Sequence, residues 1–394
     1  MARGAEALTP AGGQRRRRLR ILHLAFDDHR RPGSGGGAVR NREINRRLAQ
    51  RHEVTAVTVS YPGSRERVED GVRYIPAGLP LGYYGSILTY FAALPFVIWS
   101  HRSDLLVEDF AAPFGSWLVP LLTRRPVVAH VQWLSAVEKS KQYHLPFHLT
   151  ERWGVRLHRV MVAVSEGVGE RLRAMNRRAE VVVLPNGVDE YARRVPERRR
   201  RDVLYLGRLE MNGKGLDLML DAFQRVARRT EARLLIAGDG PDAEALSLLA
   251  RRLGIEDRIE LLGRVAGTDR FDLLGSAQVV ACPSRYESFG MVALEAMACA
   301  TPVVAFDIPC QREILADDCS VTVPAFDVAA FAEALRALLA DPERCREIGE
   351  RARSRSRFFD WEEIAARQEL VYAAAVGIEG EDDDRRVARS FSHS

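Results

Sequence analysis

Cysteine is scarce in this chain of 394 residues: there are five, Cys282, Cys299, Cys310, Cys319 and Cys345, all in the second half. None forms a C-x-x-C pair and no His-rich spacing accompanies them, which excludes a disulfide framework or a zinc ribbon and reads as reduced, cytoplasmic usage. A membrane-spanning run of roughly 20 apolar residues is missing too; the candidate stretch Ile87 to Trp99 contains Pro95. The basic run Arg15 to Arg18 ahead of Leu19 to Phe26 imitates a secretory signal, but Arg20 and His23 interrupt it and Asp27-Asp28 follows. A buried first strand behind a disordered basic leader, residues 1–18, is the expectation. Asp-x-Asp is absent outside the acidic tail at Asp382 to Asp384, so no metal-held diphosphate is indicated and no metal ligands are assigned. Aromatics do not interleave with the basic clusters Arg15 to Arg18, Arg193-Arg194 and Arg198 to Arg201, and no nucleic-acid motif occurs. The net charge of +5 therefore excludes a nucleic-acid partner and leaves open attraction to the inner face of an anionic membrane.

Short apolar runs alternating with amphipathic stretches fill the chain. Leu19 to Phe26, Val54 to Val59, Leu105 to Val107, Val127 to Ala129, Val160 to Val164 and Val181 to Leu184 read as strands, with helical patterns between them. After the Pro- and Arg-rich stretch 191–201 the alternation restarts at Val203 to Leu206 and continues through Arg233 to Ala237, Ile259 to Leu262, Val279 to Cys282, Val303 to Ala305 and Val321 to Val323. With 46% apolar residues there is material for two cores. Buried strands separated by helices give parallel sheets with right-handed crossovers. The expected fold is α/β: two Rossmann-like, doubly wound domains, 19–190 and 202–358, facing across a cleft at their strand C-terminal edges. Phe359, Trp361, Ile364 and Leu370 mark a last helix, 359–376, and the polar tail 377–394 is expected to be disordered.

The densest chemical signal follows the predicted strand ending at Cys282: Ser284-Arg285-Tyr286-Glu287-Ser288-Phe289-Gly290-Met291-Val292-Ala293-Leu294-Glu295. A strand, a polar turn and a helix start in sequence present free N–H groups and a positive dipole end to the cleft, which suits a diphosphate. Glu287 and Glu295 stand about 10 Å apart along such a helix, too far for the paired carboxyls of most hydrolases and suited to the two ends of a long ligand. Arg208 and Lys214 follow the strand Val203 to Leu206, where two cations meet a growing negative charge. Gly207 to Gly215 is no P-loop: five residues separate Gly207 from Gly213 and Gly215 replaces the magnesium-binding Ser or Thr. Gly33-Ser34-Gly35-Gly36-Gly37-Ala38 fits G-x-G-x-x-A, but six residues separate it from the strand and no acid ends the second strand, against a nicotinamide site.

The Glu-x7-Glu of Glu287 to Glu295 resembles the donor-site motif of family 4 retaining glycosyltransferases. Pro185-Asn186-Gly187-Val188-Asp189, Gly207-Arg208-Leu209, Gly213-Lys214-Gly215, Ala237-Gly238-Asp239-Gly240-Pro241 and Thr301-Pro302-Val303-Val304-Ala305 agree in order and rough spacing, from about Leu19 to Tyr372. The resemblance implies the GT-B arrangement, a nucleotide-sugar co-substrate and no cofactor or metal. By the same resemblance Glu287 holds sugar hydroxyls and the Phe289, Gly290 and Met291 backbone lies along sugar and phosphate. Glu295 would hold the ribose, Arg208 and Lys214 the diphosphate, with Gly36 and Gly37 facing it, and Arg264 and Val265 the nucleobase. His130, after the strand Val127 to Ala129, would stand at the reaction centre with Glu287. Family prevalence ranks UDP first and GDP second. The hydroxylated acceptor, lipid-linked or small, would meet the first domain along Leu79 to Trp99, Glu108-Asp109-Phe110 and Gln132 to Phe147, with peripheral membrane association left open. A phosphorylase, a nucleotide-sugar epimerase and a non-catalytic nucleotide-sugar-binding protein remain the alternatives.

Overall fold

The computed structural model describes residues 17–112, 116–134, 136, 137, 140, 144–194, 202–316 and 318–378. Most of the basic leader, the cluster Arg198 to Arg201, part of the stretch Gln132 to Phe147 and the acidic tail lie outside the described residues.

The central apolar runs become strands because burial on both faces leaves the ladder as the place where their backbone groups are satisfied, while the edge runs Glu180–Val183 and Ile259–Gly263 are partly exposed. In the first domain these are β1 Arg20–Phe26, β2 Glu53–Val59, β3 Arg67–Glu69, β4 Val72–Ala77, β5 Leu105–Asp109, β6 Val127–Val131, β7 Val160–Ala163 and β8 Glu180–Val183, in the order β3-β4-β2-β1-β5-β6-β7-β8. The second sheet holds β9 Asp202–Leu206, β10 Arg233–Ala237, β11 Ile259–Gly263, β12 Val279–Cys282, β13 Val303–Phe306 and β14 Val321–Val323, in the order β11-β10-β9-β12-β13-β14. Every pairing is parallel except β3 with β4. Strand order reverses beside β1 in one sheet and beside β9 in the other, and the loops leaving those strands open at the switch points where ligands of such sheets bind.

The hairpin β3–β4 was not among the expected strands. Its turn is Asp70-Gly71, both residues at positive φ (51° and 80°), and an Asp-Gly between strand-like residues is the sequence signal that announces it.

Apolar packing joins the domains. One buried cluster runs from Phe110, Ala129 and Met161 of the first domain to Val280, Phe289 and Ala293 of the second. The last helix, Trp361–Ala375, lies on Gly36–Leu48 of the first domain and puts Trp361, Ile364, Val371 and Tyr372 into that domain's core. Ile364 and Val371 contribute about 1.5–3 kcal/mol each by leaving water. Two of its expected anchors differ: Phe359 precedes the helix and packs edge-on against Phe289, and Leu370 sits off the buried face, where Gln368 and Tyr372 stand. Across the cleft, Glu313 of the second domain accepts the backbone N–H groups of Glu166 (2.7 Å) and Gly167 (3.0 Å), capping the first-domain helix Glu166–Met175.

Candidate active site

Three loops of the second domain meet at one wall of the cleft. The loop after β9 ends in the turn Met211–Lys214 and Gly215, which takes φ 66°. A Cβ on Gly215 would stand 2.0 Å from the carbonyl oxygen of Pro283, so the absence of a side chain lets this loop touch the loop after β12. Arg285 ties the same two loops, with a bidentate pair to Asp217 (2.7 and 2.6 Å) and bonds to the carbonyl oxygens of Met211 and Asn212.

This junction presents Lys214 to Glu287. The ammonium donates to Glu287 Oε1 at 2.5 Å, and the Ser284 hydroxyl donates to the same oxygen at 2.9 Å. Just beyond, Gly290 at φ 94° caps the helix Met291–Ala298 without any side-chain cap and with no acid in its first turn. Its N-terminal amides and dipole are therefore available to an anion. Arg208 is exposed on the loop that carries Lys214.

Glu295, inside that helix, is buried and pairs with Arg270 at 3.1 Å. Burial pushes its carboxyl above the ordinary value and Arg270 counteracts this. Arg270 also donates to the carbonyl oxygen of Gly267 (3.0 Å), which fastens the loop of Arg264 and Val265 beside Glu295. Arg264 is exposed and Val265 packs on the shared core. The two glutamates thus have separate cationic partners. Arg270 escaped the sequence reading, since it lies 25 residues from its partner in a segment with no motif; Ser284 stood in the segment Ser284 to Glu295 without a role.

The opposite wall comes from the first domain. Gly35 caps the helix Gly36–Leu48, again with no side-chain cap or first-turn acid. A Cβ on Gly36 would stand 3.2 Å from Met291 Cγ, so the glycine loop and the helix Met291–Ala298 touch. Gln132 lies against Gly37, its amide nitrogen 3.5 Å from the Gly37 carbonyl oxygen.

His130 is not at this edge, contrary to the reading of its position. The ring is enclosed, 2% exposed, with Nε2 2.9 Å from the Tyr372 hydroxyl and an edge-on contact to His23. Burial first, then the charges of His23 and Arg40, hold its pKa well below the usual value. The imidazole is neutral and sealed inside the first domain, and Gln132 occupies the rim two residues further on. Glu108 and Phe110 are likewise core rather than acceptor wall. Glu108 is bonded to His158 (2.6 Å) and Ser116 (2.5 Å), and Phe110 packs in the shared cluster. Asp109 alone of that triplet is partly open.

Among the described residues, one trio of metal-ligand type occurs: His23, Asp109 and His130, with candidate atoms within 4.8 Å of one another. Most of its atoms are engaged otherwise, but His130 Nδ1 is buried with no hydrogen-bond partner, 3.9 Å from Asp109 Oδ1. His23 Nδ1 faces Asn45 Oδ1 (3.0 Å), His23 Nε2 faces Asp109 Oδ1 (3.2 Å), and Asn41 donates to the other Asp109 oxygen. It belongs to the first sheet, whereas Lys214 and Glu287 belong to the second.

Two facing parallel-sheet α/β domains, with uncapped helix starts on both and Lys214 and Glu287 on one wall, are the arrangement of the GT-B fold. The family of glycosyl transferases group 1 matches residues 188–355, and Glycosyltransferase Family 4 matches residues 34–191. Glycogen synthase of Mycobacterium tuberculosis is 33% identical over 289 residues, spanning 70% of this chain and 68% of that protein. Sucrose-phosphate synthase from Thermosynechococcus elongatus superposes with a TM-score of 0.77 at 22% identity, covering 91% of this chain and 100% of the other. The Anabaena protein HepE, in complex with UDP and glucose, gives 0.69 at 20% identity over 89% of this chain and 98% of its own. The chain belongs to glycosyltransferase family 4.

Proposed function

We propose that the chain transfers a hexosyl group from a nucleotide diphosphate sugar, UDP first and GDP second, to a hydroxyl of a lipid-linked or small acceptor, without metal and with retention of configuration. The observation that carries the reading is the Lys214–Glu287 pair beside the uncapped start of Met291–Ala298. It sets a cation, a sugar-hydroxyl acceptor and an anion site on one wall, facing Gly36 and Gly37. UDP ranks first because HepE, of the same fold, is complexed with it.

In this reading residues 19–190 form the acceptor half, 202–358 the donor half, and 359–376 return to the first. The diphosphate lies on the amides of Met291–Ala298, with Lys214 and Arg208 meeting the charge that grows as the sugar–phosphate bond breaks. Lys214 exchanges its bond to Glu287 for one to phosphate, which frees the Glu287 carboxylate to accept from sugar hydroxyls. Glu295 accepts from the ribose diol and Arg264 and Val265 flank the base. The acceptor oxygen bonds to the anomeric carbon on the face the leaving group vacates, and its proton passes to the departing phosphate oxygen. Neutral, enclosed His130 positions the first-domain floor, and Gln132 replaces it at the rim.

The test is a panel of nucleotide sugars with hydroxylated acceptors in the presence of EDTA, with the product anomer read by proton NMR. Retained configuration with EDTA present is expected. An inverted product, or activity restored only by a divalent cation, overturns the mechanism, and a strict requirement for orthophosphate would make the chain a phosphorylase.

A further inference from the structure

The helix Gly82–Ser100 has 19 residues, none charged. Its inner face, Ile87, Tyr90, Leu94, Val97 and Ile98, fills the first-domain core. The outer face is apolar as well: Tyr84, Leu88, Phe96 and Trp99 are 65%, 71%, 75% and 71% exposed, at spacings that set them in one row along the helix. The Trp99 indole N–H donates to the Leu122 carbonyl oxygen (2.9 Å), so the short turn carrying exposed Leu121 lies alongside. An amphipathic helix on a globular surface turns a polar face outward. This one does not, and a continuous exposed apolar row marks a partner surface.

Charge identifies the partner. No Asp or Glu occurs between Asp70 and Asp104, or between Asp109 and Glu138. Exposed Arg102 and Arg124 border the C-terminal end of the helix; at its N-terminal end the Arg31 guanidinium, paired with Asp27 (3.4 Å), stands 5.8 Å over the Tyr83 ring. Arg125 holds the C-terminal end in place through the carbonyl oxygens of Ile98 and His101 and the Ser103 hydroxyl. Aromatic and aliphatic side chains in one row on an uncharged helix, with exposed Arg102 and Arg124 at its end, match the headgroup boundary of an anionic bilayer. Among the described residues no helix is long and apolar enough to cross a membrane, so the row lies on the surface rather than through it.

We propose that the outer face of Gly82–Ser100, with Leu121, docks the protein flat onto an anionic lipid bilayer. The helix starts just past the C-terminal end of β4, the edge of the sheet that faces the cleft, so docking brings the first-domain side of the cleft to the lipid surface. For what it says of the acceptor, a lipid-anchored hydroxyl, the inference rests on the proposed glycosyl transfer; docking itself does not.

The test is flotation of the full chain with vesicles of phosphatidylcholine alone or with about a third phosphatidylglycerol. Association with the anionic vesicles, weakened by salt, is expected. The double variant Leu88→Glu with Phe96→Glu should bind them roughly tenfold less or worse, while melting as the native chain does and keeping its response to UDP. Leu88→Gln alone, a milder change, should lie between and covers failure of the double variant to fold. Three results overturn the inference: no association of the native chain at low salt, undiminished binding by the variants, or a self-association that the variants abolish without any vesicle binding. A lost nucleotide response in the native chain would overturn the donor reading and leave docking standing.

Discussion

Replacing Lys214 with alanine separates a structural ion pair from a phosphate-binding cation. In the free protein Lys214 and Glu287 are 30% and 18% exposed, so solvent screens the pair and its loss costs about 0–1 kcal/mol. In the nucleotide complex the same ammonium would make a charge-assisted bond to phosphate worth about 1.5–3 kcal/mol, or ten- to hundredfold in Kd. Thermal unfolding reads both quantities. UDP at 100 times its Kd stabilises the native chain by about 2.7 kcal/mol, and at the same concentration the variant should retain about 1.4 kcal/mol after a tenfold loss or about 0.4 after a hundredfold loss. The melting point without ligand should barely move. A variant with the native response to UDP would refute the assignment of Lys214 to the diphosphate, and a large drop without ligand would mean that the pair is structural.

Glu295→Ala should weaken nucleotide binding and cost about 1–3 kcal/mol by leaving Arg270 without its partner; native affinity for UDP in a calorimetric titration would remove the ribose role. Gly215→Ala forces a Cβ against the Pro283 carbonyl oxygen and should lower the melting point by the equivalent of at least about 1–3 kcal/mol while weakening UDP. Gln132→Ala should lower donor turnover with an unchanged melting point, and His130→Ala should chiefly lower the melting point; the reverse pattern would restore His130 to the rim. Because burial depresses the His130 pKa, the unfolded chain binds the proton more readily than the folded one. The stability His130 contributes is present above its ordinary value near 6.5 and is lost as pH falls below it, at up to about 1.4 kcal/mol per pH unit. His130→Gln should flatten the melting curve against pH in that window.

Architecture was largely legible in the sequence because buried parallel strands carry their signal locally: twelve apolar runs are strands of the structure, and the Glu287 to Glu295 segment folds as the expected turn and helix. Lys214, Glu287, Gly36 and Met291 could be singled out because glycines and charges at strand ends have few structural uses. His130 was misplaced by the same local logic. A strand end is uncertain by two residues in sequence, and in a period-two element that shift leaves the face unchanged but separates rim from interior, so Gln132 took the edge.

Arg270 and Glu313 lay beyond sequence reasoning, since each acquires its partner through a contact across the fold that no spacing encodes. The apolar run Ile87 to Trp99 shows the division most clearly. Its composition alone already excluded charge from the helix, but core and surface apolar residues are chemically the same. Only packing of Tyr90, Leu94 and Ile98 against β2 and β4 determined that Leu88, Phe96 and Trp99 face outward, because a helix has two faces and the sheet beneath it selects one.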